Sequence, residues 1–189
     1  MKIIISVLLF VFISINVFGY DLTEEQIQNI KIAYEIGNEI VWRGETYGET
    51  VAAILFQESH AGSEKFKTRG VILGDLNSRG KYKSLGLMQI QVPALRDVLR
   101  WYPEILKKYF NYIPSNETLL LELLFNDKFN IEVGALYFAK MLELKGSWTK
   151  AILAYNIGVN GKVDINNYVN SVKKYRIDII LPLLRENKL

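Results

Sequence analysis

Five glycines, at positions 62, 70, 74, 80 and 86, interrupt a chain that is otherwise patterned for helices almost from end to end. That contrast constrains the fold more than any other feature. Thr23 is placed to cap a helix whose first turn carries Glu24 and Glu25, and whose apolar positions Ile27, Ile30, Tyr34 and Ile40 recur at helical spacing. Amphipathic stretches follow at 49–60, 92–101, 115–125, 130–145, 148–156 and 165–185. Ser115-Asn116-Glu117-Thr118 predicts a helix start, and Gly146 predicts a stop before Ser147 caps the next helix. Only residues 62–91 break the pattern: short apolar runs such as Val71-Ile72-Leu73 between the glycines predict loops and a small β-hairpin. The expected architecture is a mainly α domain with one irregular segment after its second helix. Irregular segments held on rigid helices are where sites tend to sit.

The N-terminal residues read differently from the rest. Met1-Lys2 supplies a positive charge, Ile3 to Phe18 is almost wholly apolar, and Val17-Phe18-Gly19 offers the small or modest side chains that a signal peptidase reads. A cleavable export signal over 1–19 and a single domain over 20–189 are therefore expected. The alternative is an uncleaved anchor, but a segment interrupted by Ser6, Ser14 and Asn16 falls short of the roughly 20 residues that span a bilayer, so no stable membrane span is expected after cleavage. The chain has no cysteine, which excludes disulfides, a thiol nucleophile and a thiolate metal site, and its one histidine, His60, cannot build a multi-histidine zinc centre. No metal or cofactor is expected. A net charge of +3 is too mild to argue for nucleic acid, and Lys162, Lys173, Lys174 and Arg176 read as a solvated face.

One carboxylate stands in an awkward place. Val51, Ile54, Leu55 and Glu58 fall at i, i+3, i+4 and i+7, so Glu58 projects from the apolar face of its helix. Desolvation there favours the neutral acid, and the negative end of the helix dipole pushes the same way. A carboxyl that keeps its proton near neutrality is what a general acid requires. The bland alternative is that Glu58, one turn from the helix end, tips out to solvent.

The surrounding words narrow the choice. Glu58-Ser59 is followed by Gly86-Leu87-Met88-Gln89-Ile90, then by Ala154-Tyr155-Asn156-Ile157-Gly158, then by Tyr168-Val169. This ordered set resembles the lysozyme-like lytic transglycosylases of the soluble, Slt-type family, which cleave the glycan strand of bacterial peptidoglycan. The resemblance implies a lysozyme-like helical domain in which Glu58 is the sole catalytic acid, acting with the sugar's own 6-hydroxyl to leave 1,6-anhydro-N-acetylmuramic acid. It further implies that Ser59 fixes the acid or touches substrate, with a helix-end hydroxyl bonding its own backbone as the alternative. Met88 and Gln89 would line the groove floor as an apolar platform and an amide, with core filler as the alternative for Met88, and Gly86 would let the backbone pass close to the glycan. Tyr155 and Asn156 would face the cleft, and Tyr168 would lie against the acid. Substrate-binding roles are thus expected at Ser59, Met88, Gln89, Tyr155, Asn156 and Tyr168, with peptidoglycan strands as partner and the periplasm or cell envelope as location.

Two departures keep rival functions open. The interval from Glu58 to Gly86 is longer than in many relatives and contains Asp75, a second carboxylate in a position similar to that in goose-type lysozymes. A hydrolytic muramidase using Asp75 and water is the first alternative, although Asp75 in Gly74-Asp75-Leu76-Asn77 also reads as a turn residue. The short gap from Asn156 to Tyr168 is the second departure. A non-catalytic glycan-binding module of a secretion apparatus is the remaining alternative.

Overall fold

The computed structural model describes residues 15–17 by backbone and residues 20–74, 76, 82–163 and 167–189 in full. Asp75 and most of the expected export signal lie outside the described residues. Strand β1 (Ile15–Val17) pairs antiparallel with β2 (Tyr20–Leu22), and α1 (Glu24–Asn38) follows. Its start is a reciprocal capping box: the Thr23 hydroxyl accepts the Gln26 N–H at 3.2 Å, and the Gln26 amide oxygen accepts the Thr23 N–H at 3.0 Å. The helix stops before Ile40, contrary to the helical spacing read from the sequence. The Ile40 N–H turns back onto the Gly37 carbonyl and the chain enters the hairpin β3 (Val41–Trp42) and β4 (Glu45–Thr46).

Helix α2 (Gly48–Ser59) is the central element. From Val51 through Leu55 its residues have no exposed surface, because Val51-Ala52-Ala53-Ile54-Leu55-Phe56 is apolar all round. It packs against α1, α6 (Asp127–Lys145), α8 (Tyr168–Tyr175) and a π-helical turn (Arg176–Ile180). Burial of roughly 1.5–3 kcal/mol per large apolar side chain fixes the helix along its length. Since Glu58 rides its last turn, the core sets the position of the acid. Immediately afterwards the chain reverses, with φ of 47° at His60 and 55° at Ala61, and the His60 N–H bonds the Phe56 carbonyl at 2.8 Å.

Among its described residues the glycine-rich segment contains two small antiparallel pairs rather than one hairpin. β5 (Lys67–Thr68) pairs with β6 (Val71–Ile72), and β7 (Ser84–Leu85) pairs with β8 (Ile90–Gln91); a bridge from Leu73 to Leu85 joins them. Then come α3 (Val92–Trp101), α4 (Glu104–Tyr109), α5 (Asn116–Phe125), α6 and α7 (Trp148–Ile157). α4 was not expected, since six residues after Pro103 are too few to show a helical period. α6 starts earlier than its apolar pattern because the Asn126 side chain caps the Phe129 N–H at 3.0 Å. The stretch expected as one helix over 165–185 begins at Tyr168 and is divided into α8, the π-helical turn and α9 (Leu181–Arg185). Pro182, which has no N–H to return to the preceding turn, follows the widened part. Among the described residues no helix is long and apolar enough to cross a membrane.

Candidate active site

A cleft of about 690 Å³ opens between the β5–β8 segment on one side and α3, α6 and α7 on the other, with Glu58 in its wall. The solvent-facing alternative for Glu58 does not hold. The buried Tyr168, at the first residue of α8, donates its hydroxyl to Glu58 Oε1. Burial raises the Glu58 carboxyl from its ordinary 4.5 to about 7, and the Tyr168 hydrogen bond opposes that rise by favouring the charged form. The two influences leave an acid poised between donating and accepting a proton near neutrality. Removing the phenol therefore has a defined sign. In Tyr168→Phe the pKa of Glu58 should climb further, so the alkaline limb of a pH–rate profile should move to higher pH, with turnover reduced about tenfold. An unmoved limb would show that the contact does not tune the acid.

The floor is a turn between β7 and β8. Gly86 has φ +72°, and a Cβ there would lie 2.2 Å from Asn130 Nδ2 and 2.4 Å from the Leu123 carbonyl. The close approach that requires glycine is thus to α5 and α6, not to a bound glycan. Asn130, fully buried in α6, gathers the turn: its Oδ1 accepts the Met88 N–H at 2.7 Å, and its Nδ2 donates to the carbonyls of Leu85 and Leu123, each at 2.9 Å. Sequence reasoning passed over Asn130. The available signal was an amide between Phe129 and Ile131 on a helix that buries both, a polar group that needs partners.

The expected substrate residues are placed unevenly. Gln89 lines the cleft with φ +49°; its Oε1 accepts the Ser84 hydroxyl at 2.8 Å and its Nε2 donates to the Gly86 carbonyl at 2.9 Å. These contacts lock the amide while leaving its second N–H for a ligand. Tyr155 and Asn156 line the cleft from the end of α7. The Tyr155 hydroxyl donates to the Met88 carbonyl at 2.9 Å, and burial, followed by the charges of Glu58 and Tyr137, holds that phenol well above its usual 10.

Three of the expected substrate residues do not line the cleft: Tyr168, which bonds Glu58, and Met88 and Ser59. Met88 has no exposed surface, and its side chain packs on Gly134, where a Cβ would fall 2.7 Å from Met88 Cε. The apolar platform expected of Met88 is therefore absent, and its backbone carries its contribution to the site. Ser59 is likewise fully buried; its hydroxyl bonds the Leu55 carbonyl at 3.4 Å and accepts the Gly62 N–H at 3.3 Å. It shapes the turn after the acid and reaches no sugar. Asp97 and Tyr137, which no motif marked, do line the cleft.

Comparisons with known proteins bear on the family and the fold. A family model described as the transglycosylase SLT domain matches residues 35–178. A comparison with curated proteins finds no match. Among solved structures, the X-ray structure of an inactive mutant of lytic transglycosylase Slt from Pseudomonas aeruginosa is similar, with a TM-score of 0.50 and 17% sequence identity over 87% of this chain. At that identity the likeness concerns the fold, and the present chain spans 25% of that one. The family match runs from the end of α1 to the π-helical turn and so contains Glu58, Gln89, Asn156 and Tyr168; the chain belongs to the transglycosylase SLT domain family.

Proposed function

We propose that this protein is a peptidoglycan lytic transglycosylase that cleaves the β-1,4 bond between N-acetylmuramic acid and N-acetylglucosamine with Glu58 as its single acid and base. In the first step the Glu58 carboxyl gives its proton to the glycosidic oxygen as the C1–O bond breaks and positive charge develops at C1. In the second the resulting carboxylate takes the proton of the sugar's 6-hydroxyl while O6 bonds to C1. The 1,6-anhydro ring closes, the carboxyl regains its proton, and no water is consumed. Tyr168 would hold the carboxyl through both steps, and the free N–H of Gln89 and the amide of Asn156 would orient sugar substituents.

The observation that carries this reading is the Glu58 carboxyl in the cleft wall, bonded by the Tyr168 hydroxyl and raised by burial to about 7. The Pseudomonas Slt structure is named as an inactive mutant with a glutamate-to-glutamine change, which supports a chemistry that needs a carboxyl. Export by segment 1–19 would bring the domain to its substrate in the cell envelope, where it could serve wall turnover or a secretion machine.

Mass spectrometry of purified sacculi digested with the mature protein tests the proposal. Anhydro-muropeptides without a reducing end are expected. Reducing muramic acid would instead indicate hydrolysis, the route open to Asp75 with water. Intact glycan, with binding retained, would indicate a recognition module.

A further inference from the structure

Met88 gives the cleft no apolar floor, yet one aromatic ring on the cleft wall is open to solvent. Phe66, Tyr137 and Tyr155 are the aromatic residues that line the cleft among the described residues. The two tyrosines are engaged by protein: Tyr137 stacks on Trp101 and meets Tyr155 edge-on at 5.6 Å between centroids, and the Tyr155 hydroxyl is spent on the Met88 carbonyl. Phe66 keeps 39% of its surface exposed. A ligand face laid on that ring gains by displacing water from it.

The ring is also held. Phe66 ends a 3₁₀ turn (Glu64–Phe66), and its N–H bonds the Ser63 carbonyl at 2.9 Å. The next residue, Lys67, ties the turn to α1 through Glu25 at 3.0 Å and bonds Glu64 at 2.7 Å. Behind the ring stands His60, whose imidazole stacks on Phe66 at 4.8 Å between centroids with 29° between planes. That imidazole is set edge-on against Phe56 at 4.9 Å and Tyr175 at 5.8 Å, and Gln26 Nε2 holds the His60 carbonyl at 2.8 Å. Its Nδ1 is buried without a hydrogen-bond partner among the described residues, and its Nε2 meets only the Tyr175 hydroxyl, at 3.5 Å. Ring contacts therefore account for its place, and a flat support for Phe66 accounts for a polar atom left unsatisfied. With one face covered by His60, the exposure of Phe66 falls on its other face and its rim.

We propose that Phe66 is the stacking platform of the cleft, receiving the axial C–H face of a β-1,4-linked hexosamine ring. The ligand class rests on the glycan-cleaving function proposed above. In such a pyranose the polar substituents point outward around the ring, which leaves slightly positive axial C–H groups to meet the negative face of a π system. The platform is fixed before the sugar arrives, so little ordering opposes binding.

The test is equilibrium binding of peptide-free peptidoglycan strands, measured on Glu58→Gln protein so that the ligand is not consumed. Adding Phe66→Ala should weaken binding about tenfold. Phe66→Leu, apolar but without a ring, should lose nearly as much, whereas Phe66→Tyr and Phe66→Trp should bind within about twofold of the parent. Nuclear Overhauser contacts between the Phe66 ring protons and the axial sugar protons should appear on protein with Phe66 intact. Binding unchanged in Phe66→Ala, full binding in Phe66→Leu, or no such contacts with ligand bound overturns the platform. Should Phe66→Ala fail to fold, the Overhauser measurement still decides. The two readings fail separately: sacculi digests without anhydro products while the ring dependence of binding persists would sink the lytic reading alone, and anhydro products without ring dependence would sink the platform alone.

Discussion

Glu58→Gln is expected to lower glycan cleavage by roughly 10²–10⁴-fold and, at the same time, to make the fold more stable above neutral pH. The two effects have one origin. The Glu58 carboxyl titrates at about 7 in the folded protein against an ordinary 4.5, so folding favours its protonated form. Its contribution to stability is fully present below 4.5, is lost as pH rises through 7, and stays lost above that. A shift of that size corresponds to about 3 kcal/mol of cost carried by the ionised acid. Glutamine never ionises, so the variant should match the parent near pH 4 and exceed it by about that amount at pH 8. Urea denaturation at the two pH values measures the difference. Inactivity without a pH-dependent gain would separate the catalytic role from the sheltered environment held responsible for it.

Asn130→Ala should produce the largest loss of stability, roughly 3–5 kcal/mol. The amide satisfies the Met88 N–H and the carbonyls of Leu85 and Leu123, and the residue has no exposed surface. Truncation leaves buried backbone groups without partners, each costing about 1–3 kcal/mol, and opens a void beneath Gly86. Asn130→Asp should also be costly, because a carboxylate cannot donate to the two carbonyls. Since the Met88 carbonyl anchors Tyr155 and the Gly86 carbonyl anchors Gln89, the damage should reach turnover as well as melting temperature. A loss under 1 kcal/mol in chemical denaturation would mean that the turn is held by something other than this amide.

What could be read from the sequence divides along physical lines. Local signals are complete within a few residues, so the Thr23 cap, the Ser115 cap and the Gly146 stop were legible and recur in the structure. So was the apolar face that places Glu58. The position of Glu58 also fixes its chemistry, because burial is what raises its pKa. Side-chain direction in the irregular segment was not legible. Met88 and Gln89 are adjacent, yet one points into α6 and the other lines the cleft: Gly134, distant in the chain, makes room for the first, while Ser84 and Gly86 of the same turn hold the second. Asn130, Asp97 and Tyr137 were missed for the same reason: their roles arise only when α3, α6 and α7 are assembled around the turn. For Ser59 the sequence left two roles open, and the structure has its hydroxyl bonding the backbone of its own turn, as the alternative reading had it.

The most direct test of the account is a titration of Glu58 itself, followed through the ¹³C chemical shift of its side-chain carboxyl. A midpoint of about 7 is expected, moving upward in Tyr168→Phe. A midpoint at the ordinary value of 4.5, unmoved by that substitution, would contradict it.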